Sequence, residues 1–131
     1  MTEKPTQPRL LADENTSHRF VSACRRLVHW FPVVHIARWQ DGSWLGLDDA
    51  ALLIACAESS LILVAFDRAT LPWHAGQVIR AGEKHGWLIL FRRTVRTTND
   101  GQQARLLSDF WTLEGHAWDW LNRIVYLPTS P

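Results

Sequence analysis

Hydrophobic residues in this chain come in short unbroken runs, and between the runs they recur at helical spacing, so the pattern reads as strand and helix in alternation. The run Arg9 to Ala12 predicts a short buried strand, and Asp13-Glu14-Asn15 turns the chain into a helix starting near Thr16 or Ser17. Phe20, Ala23, Cys24, Leu27 and Val28 form one apolar stripe of that helix, with Arg19, Ser22, Arg25 and Arg26 on the other side. Val33 to Ala37 reads as a second strand, and Arg38 to Leu47 carries turn signals and no period, which predicts an exposed loop. Asp48 is placed to cap a helix from Asp49 to about Glu58 that is apolar nearly all round. Leu61 to Phe66 is an unbroken run suited to a central parallel strand.

A weaker helix follows Pro72 and runs to about His85, with Gly86 as its C′ residue. Trp87 to Phe91 is a fourth strand. Asn99-Asp100-Gly101 starts a helix whose apolar face is Leu106, Leu107, Phe110, Trp111 and Leu113, ended by Gly115. A short helical turn over Trp118 to Asn122 and a last strand, Ile124 to Leu127, complete the chain. Five strands alternating with helices predict a three-layer α/β/α domain with a mostly parallel sheet. Residues 9–131 are expected to form that single domain, and residues 1–8, polar and proline-containing, a flexible tail.

Composition narrows the function classes. At 47% hydrophobic residues, 131 residues can build a core, yet no apolar stretch approaches the roughly 20 residues of a membrane span. The N-terminal residues lack the apolar segment of a secretory signal, and the two cysteines, Cys24 and Cys56, each fall in a helical pattern, so buried thiols in a reducing cytoplasm are the expectation. A net charge of +1 leaves nucleic-acid binding to a local basic face. Arginine outnumbers lysine 12 to 2, and Arg suits planar phosphate contacts, although a genome-composition bias gives the same ratio. The six histidines show no zinc spacing.

Three acids carry the chemistry. Asp13 ends the first strand, Asp49 opens the second helix and Asp67 ends the third strand, and the carboxyl ends of parallel strands converge on one crevice. Crowded carboxylates repel unless a cation neutralises them, and oxygen donors without thiolates favour Mg²⁺ or Mn²⁺. Glu14 and Asp109 are further acids that could complete the shell, or else Glu14 caps the first helix and Asp109 stands on a polar helix surface. Arg68, beside Asp67, could steady a phosphate, and Arg19, Arg25 and Arg26 could track a nucleic-acid backbone or simply form a solvated helix face. Of the eight tryptophans, Trp87, Trp111 and Trp120 read as core; Trp39, Trp44 and Trp73 fit packing or recognition of a base or partner equally.

From Leu10 to Pro128 the chain resembles the PIN-like nucleases, especially the short branch that acts as toxins of bacterial toxin-antitoxin modules. The resemblance rests on Asp13-Glu14-Asn15, on Asp49 followed by Leu52-Leu53, on Asp67-Arg68-Ala69-Thr70-Leu71, and on the ending Trp120 to Pro128 with its Tyr-Leu-Pro. It implies metal-dependent hydrolysis of RNA, with Asp13, Asp49 and Asp67 as catalytic metal ligands and Asn15, Arg19, Arg68 and Thr70 at the substrate. It also implies a cognate antitoxin protein and a homodimer. Many relatives carry a second acid where this chain has Ala69, so a catalytically weak or inactive PIN-like fold that binds protein or RNA is the alternative. A phosphoacceptor receiver domain shares the alternating architecture, but it needs a lysine where this chain has Arg92-Arg93.

Overall fold

The alternating pattern becomes a repeated β-α unit in the computed structural model, which describes residues 9–67, 70–83, 87–119 and 122–130. Five strands, β1 (Leu10–Ala12), β2 (Val33–His35), β3 (Ile62–Phe66), β4 (Trp87–Phe91) and β5 (Ile124–Leu127), pair in parallel throughout in the order β2-β1-β3-β4-β5. Among the described residues, four α-helices connect them: α1 (His18–Leu27), α2 (Asp49–Glu58), α3 (Thr70–Arg80) and α4 (Asp100–Leu113). Because the chain steps from β1 to β2 and then back past β1 to β3, successive crossovers of one hand lay α1 and α2 on opposite faces.

The pleat divides the strand side chains between those faces. Ala12, Val64 and Phe91 pack with Phe20 and Cys24 of α1 and Leu107 and Trp111 of α4, whereas Leu11, Leu63 and Leu90 pack with Leu53 and Cys56 of α2 and Leu71 and Ala75 of α3. Every β3 residue from Ile62 to Ala65 is buried, which explains the unbroken apolar run: a central parallel strand has no wet face. Burial of each such aliphatic side chain contributes about 1.5–3 kcal/mol.

Capping sets the helix starts. Ser17 accepts the Phe20 N–H at 3.0 Å and begins α1, while Asp48 accepts the Ala51 N–H at 2.8 Å and begins α2, leaving Asp49 in its first turn. Pro72 stands inside the first turn of α3, where a missing N–H breaks no helical bond. That helix ends at Arg80 and not near His85. Glu83 N–H bonds to Val78 O and Gly82 N–H to Ile79 O, the paired pattern of a Schellman motif, with Gly82 at the left-handed C′ position (φ 79°) that the sequence reading gave to Gly86. Gly86 lies outside the described residues, as do the 1–8 tail, Arg68, Trp120 and the side chain of Trp87.

Other expectations shift locally. β2 stops at His35 because Arg38 N–H turns back onto His35 O. The stretch read as an exposed loop contains a 3₁₀ turn over Trp39–Gly42, with Gln40 and Asp41 in left-handed conformations. Trp39 and Trp44 meet edge to face at 5.9 Å and pack on the α2 side of the core. Trp73 belongs to α3, 57% exposed and edge-on to His74. Leu113, placed by its spacing in the apolar face of α4, is 80% exposed because it is the last residue of that helix. Past it, Gly115–Ala117 form a 3₁₀ turn, and the helical turn expected over Trp118 to Asn122 falls partly on residues 120–121, outside the described residues.

Candidate functional site at the carboxyl edge of the sheet

In the order β2-β1-β3-β4-β5 the chain reverses direction of travel between β1 and β3, and the carboxyl ends of these neighbours flank the crevice where open α/β sheets bind ligands. Asp13 and Asp67 end those two strands. Asp13 N–H bonds to Val64 O at 2.9 Å, so Asp13 stands beside Ala65, and Asp67 N–H bonds to Phe91 O at 2.8 Å, two residues further along β3. One strand spacing sideways and two residues of rise set their Cα atoms about 8 Å apart. Continuing the pleat places both side chains with Ala65, on the face that α2 and α3 cover.

The third acid approaches from that face. Asp49, half-buried in the first turn of α2, lies on the same helical stripe as Leu52, Leu53 and Cys56, which are buried against the sheet. On that stripe the Cys56 thiol is raised to about 12 by burial and, to a smaller extent, by the Asp13 charge. Asp13 itself is 3% exposed, and Asp67 is 26% exposed, with Arg93 Nε 4.0 Å from its Oδ2.

The remaining sequence candidates fall in two groups. Glu14 and Asn15 form the exposed turn after Asp13, Arg19 is exposed on the first turn of α1, and Thr70 is the exposed first residue of α3, so all four belong to elements that leave the carboxyl edge. Arg68 lies outside the described residues. Asp109 is exposed on α4 and lines a hollow with Leu27 and Leu113, at the end of the α1–α4 pair remote from Ser17 and Asp100. The structure does not bring it to the crevice.

Two groups at this edge were not singled out from the sequence. His35, buried at the end of β2, donates from Nε2 to Thr16 O at 2.8 Å, and its Nδ1 accepts Ala37 N–H at 3.1 Å, which fixes the neutral tautomer. Burial is the main cause holding its pKa below the ordinary value; the His18 and Arg38 charges add to this, while the Thr16 bond and Asp13 oppose it. Thr16 in turn donates from Oγ1 to Asp13 O at 2.6 Å, so the 13–16 turn is tied at both ends. A polar residue closing the run Val33-Val34 was the available signal for His35. Asp100, in the first turn of α4, accepts the Ser17 hydroxyl at 2.6 Å and joins the starts of α1 and α4; its signal was its position after the cap Asn99.

The three carboxylates supply hard oxygen donors of the kind Mg²⁺ and Mn²⁺ take. Among the described residues, no group of three or more His, Cys, Asp and Glu side chains is drawn together closely enough to hold a metal ion. No helix among them is long and apolar enough to cross a membrane. Comparison with protein-family models, with curated proteins and with solved structures gives no match.

Proposed function

We propose that this chain is a PIN-like, metal-dependent endoribonuclease, the toxin of a toxin-antitoxin module. The observation that carries the reading is the placement of Asp13 and Asp67 on either side of the β1/β3 crevice, with Asp49 heading the helix on the same face. On this reading Asp13, Asp49 and Asp67 would hold Mg²⁺ or Mn²⁺ only after drawing closer together than they stand here. Such an ion supplies Lewis acidity and a more acidic water. The His35–Thr16 and Thr16–Asp13 bonds fix the backbone of the turn that follows the first acid, and Arg93, at the mouth beside Asp67, is positioned to meet a phosphate. RNA as substrate, an antitoxin protein as partner and a homodimer as assembly follow from the resemblance of the motif set.

The test pairs cleavage with folding. Asp13→Asn and Asp67→Asn should abolish Mn²⁺-dependent cleavage of RNA while the melting temperature holds or rises, since like charge is removed. Unchanged cleavage in both variants would overturn the reading.

A second reading, a catalytically inactive PIN-like subunit that binds protein or RNA, is favoured by two observations: the described acids do not form a ready ligand set, and a guanidinium stands next to Asp67. Titration of Mn²⁺ against thermal stability separates the two, because an ion that binds only the folded chain raises its melting temperature. No rise at millimolar Mn²⁺ selects the binding subunit.

A further inference from the structure

On the α1 side of the edge strand β2, His18, Ser22 and Arg25 of α1 and His35 and Arg38 around the end of β2 enclose a pocket of about 220 Å³. Among the described residues no carboxylate lines it, and neither Arg25 nor Arg38 is ion-paired. Arg25 uses one nitrogen on Val33 O at 2.5 Å, which aims its guanidinium at β2 and leaves its other donors available. The two imidazoles stack, ring centroids 4.1 Å apart. Cationic side chains converging without an acid carry an unfavourable self-repulsion that an anion relieves, and a guanidinium fork beside a hydroxyl matches phosphate geometry.

We propose that this pocket is a phosphate-binding site that grips the backbone of a bound RNA, through Arg25, Arg38, His18 and the Ser22 hydroxyl. The RNA part rests on the nuclease reading; the phosphate part stands on the pocket alone. His35 is the wall that joins the pocket to the Asp13 turn, since it pairs with Ala12 across β1 and β2 and bonds to Thr16. The pocket lies about 10 Å, two strand spacings, from the end of β3. It opens on the α1 face while the acids face α2, so the strand would pass over the carboxyl end of β2, where Arg38 stands.

The experiment has two arms on the full chain. In the first, inorganic phosphate is titrated, against chloride at matched ionic strength, while the melting temperature is followed. The wild type should gain stability with the logarithm of phosphate concentration, Arg38→Glu should not, and Arg38→Lys should recover part of the gain. In the second arm, a labelled single-stranded RNA is bound in EDTA, where no cleavage intervenes. Arg38→Glu should weaken every RNA sequence to a similar degree and lower the slope of log affinity against log salt by about 1. A phosphate effect lost in Arg38→Glu with RNA affinity unchanged supports the anion site and overturns RNA as its ligand. Identical behaviour of wild type and Arg38→Glu in both arms overturns the proposal. Cleavage assayed separately with Mn²⁺ reports on the nuclease reading alone, because Arg38→Glu leaves Asp13, Asp49 and Asp67 in place.

Discussion

His35 and Thr16, nineteen residues apart, are joined by a 2.8 Å hydrogen bond from the imidazole Nε2 to the backbone carbonyl, and this bond closes the turn that carries Asp13. Held neutral by burial, the ring makes folding pH-dependent in a definite direction. The unfolded chain takes up a proton near the ordinary value of 6.5, and the folded chain only at lower pH. Unfolded chains therefore bind more protons within that interval, and stability falls as pH drops from 6.5 toward the folded value, with the full contribution present above 6.5. Urea melts of wild type and His35→Gln between pH 8 and pH 5 should converge as the pH falls. Parallel curves would remove the imidazole from the account.

Gly115 has a steric reason to be glycine. A Cβ there would stand 2.7 Å from Cε2 of Phe110, whose ring is fixed edge-on to Trp118 at a centroid distance of 5.1 Å. Gly115→Ala must displace that ring and should destabilise the chain by about 1–3 kcal/mol, read from the urea midpoint. A midpoint equal to wild type would mean that Phe110 has room to turn.

Arg93 and Asp67 pair at 4.0 Å with the arginine 73% exposed, so the contact adds little to stability, less than about 1 kcal/mol. Its consequence is for the site. Arg93→Gln should leave the melting temperature nearly unchanged in EDTA and lower the Mn²⁺ concentration needed for half-maximal stabilisation, because a cation no longer competes with a guanidinium. An unchanged or higher midpoint would argue against a metal at Asp67.

Burial pushes both Cys24 and Cys56 up to about 12, so neither supplies thiolate at neutral pH. Iodoacetamide at pH 8 should leave the native chain unlabelled over an hour and add two carbamidomethyl groups in urea, as read by intact mass. Rapid labelling of the native chain would show that a helix opens to expose its thiol.

Where one local rule acted alone, the sequence was legible. The bounds of α2 follow from Asp48 and a run of helix formers, and β4 and β5 are read directly from apolar runs closed by turn residues. Where the signal depended on hydrogen bonds, it was not: Gly86 reads as the helix stop, and only the bonds from Glu83 to Val78 and from Gly82 to Ile79 set the end at Gly82. Asp13 and Asp67 could be assigned to strand ends, but their adjacency depends on β1 lying next to β3, a long-range pairing that no window of sequence contains. The same holds for His35, which reads as one more strand residue until Thr16 is beside it. Trp39 and Trp44 were ambiguous because their packing depends on left-handed backbone at Gln40 and Asp41, which neither residue type announces.

The bond from Arg25 to Val33 O has one more effect, on how the sheet meets other chains. β2 is a margin of the sheet, and a margin normally offers main-chain donors and acceptors to any passing extended peptide. Here Val33 O is taken by Arg25, Val33 N–H by Phe31 O, and His35 O by Arg38 N–H. A sixth strand would find little left to pair with, so this border resists fibrillar growth, and any second molecule that docks beside β2 must do so through side chains.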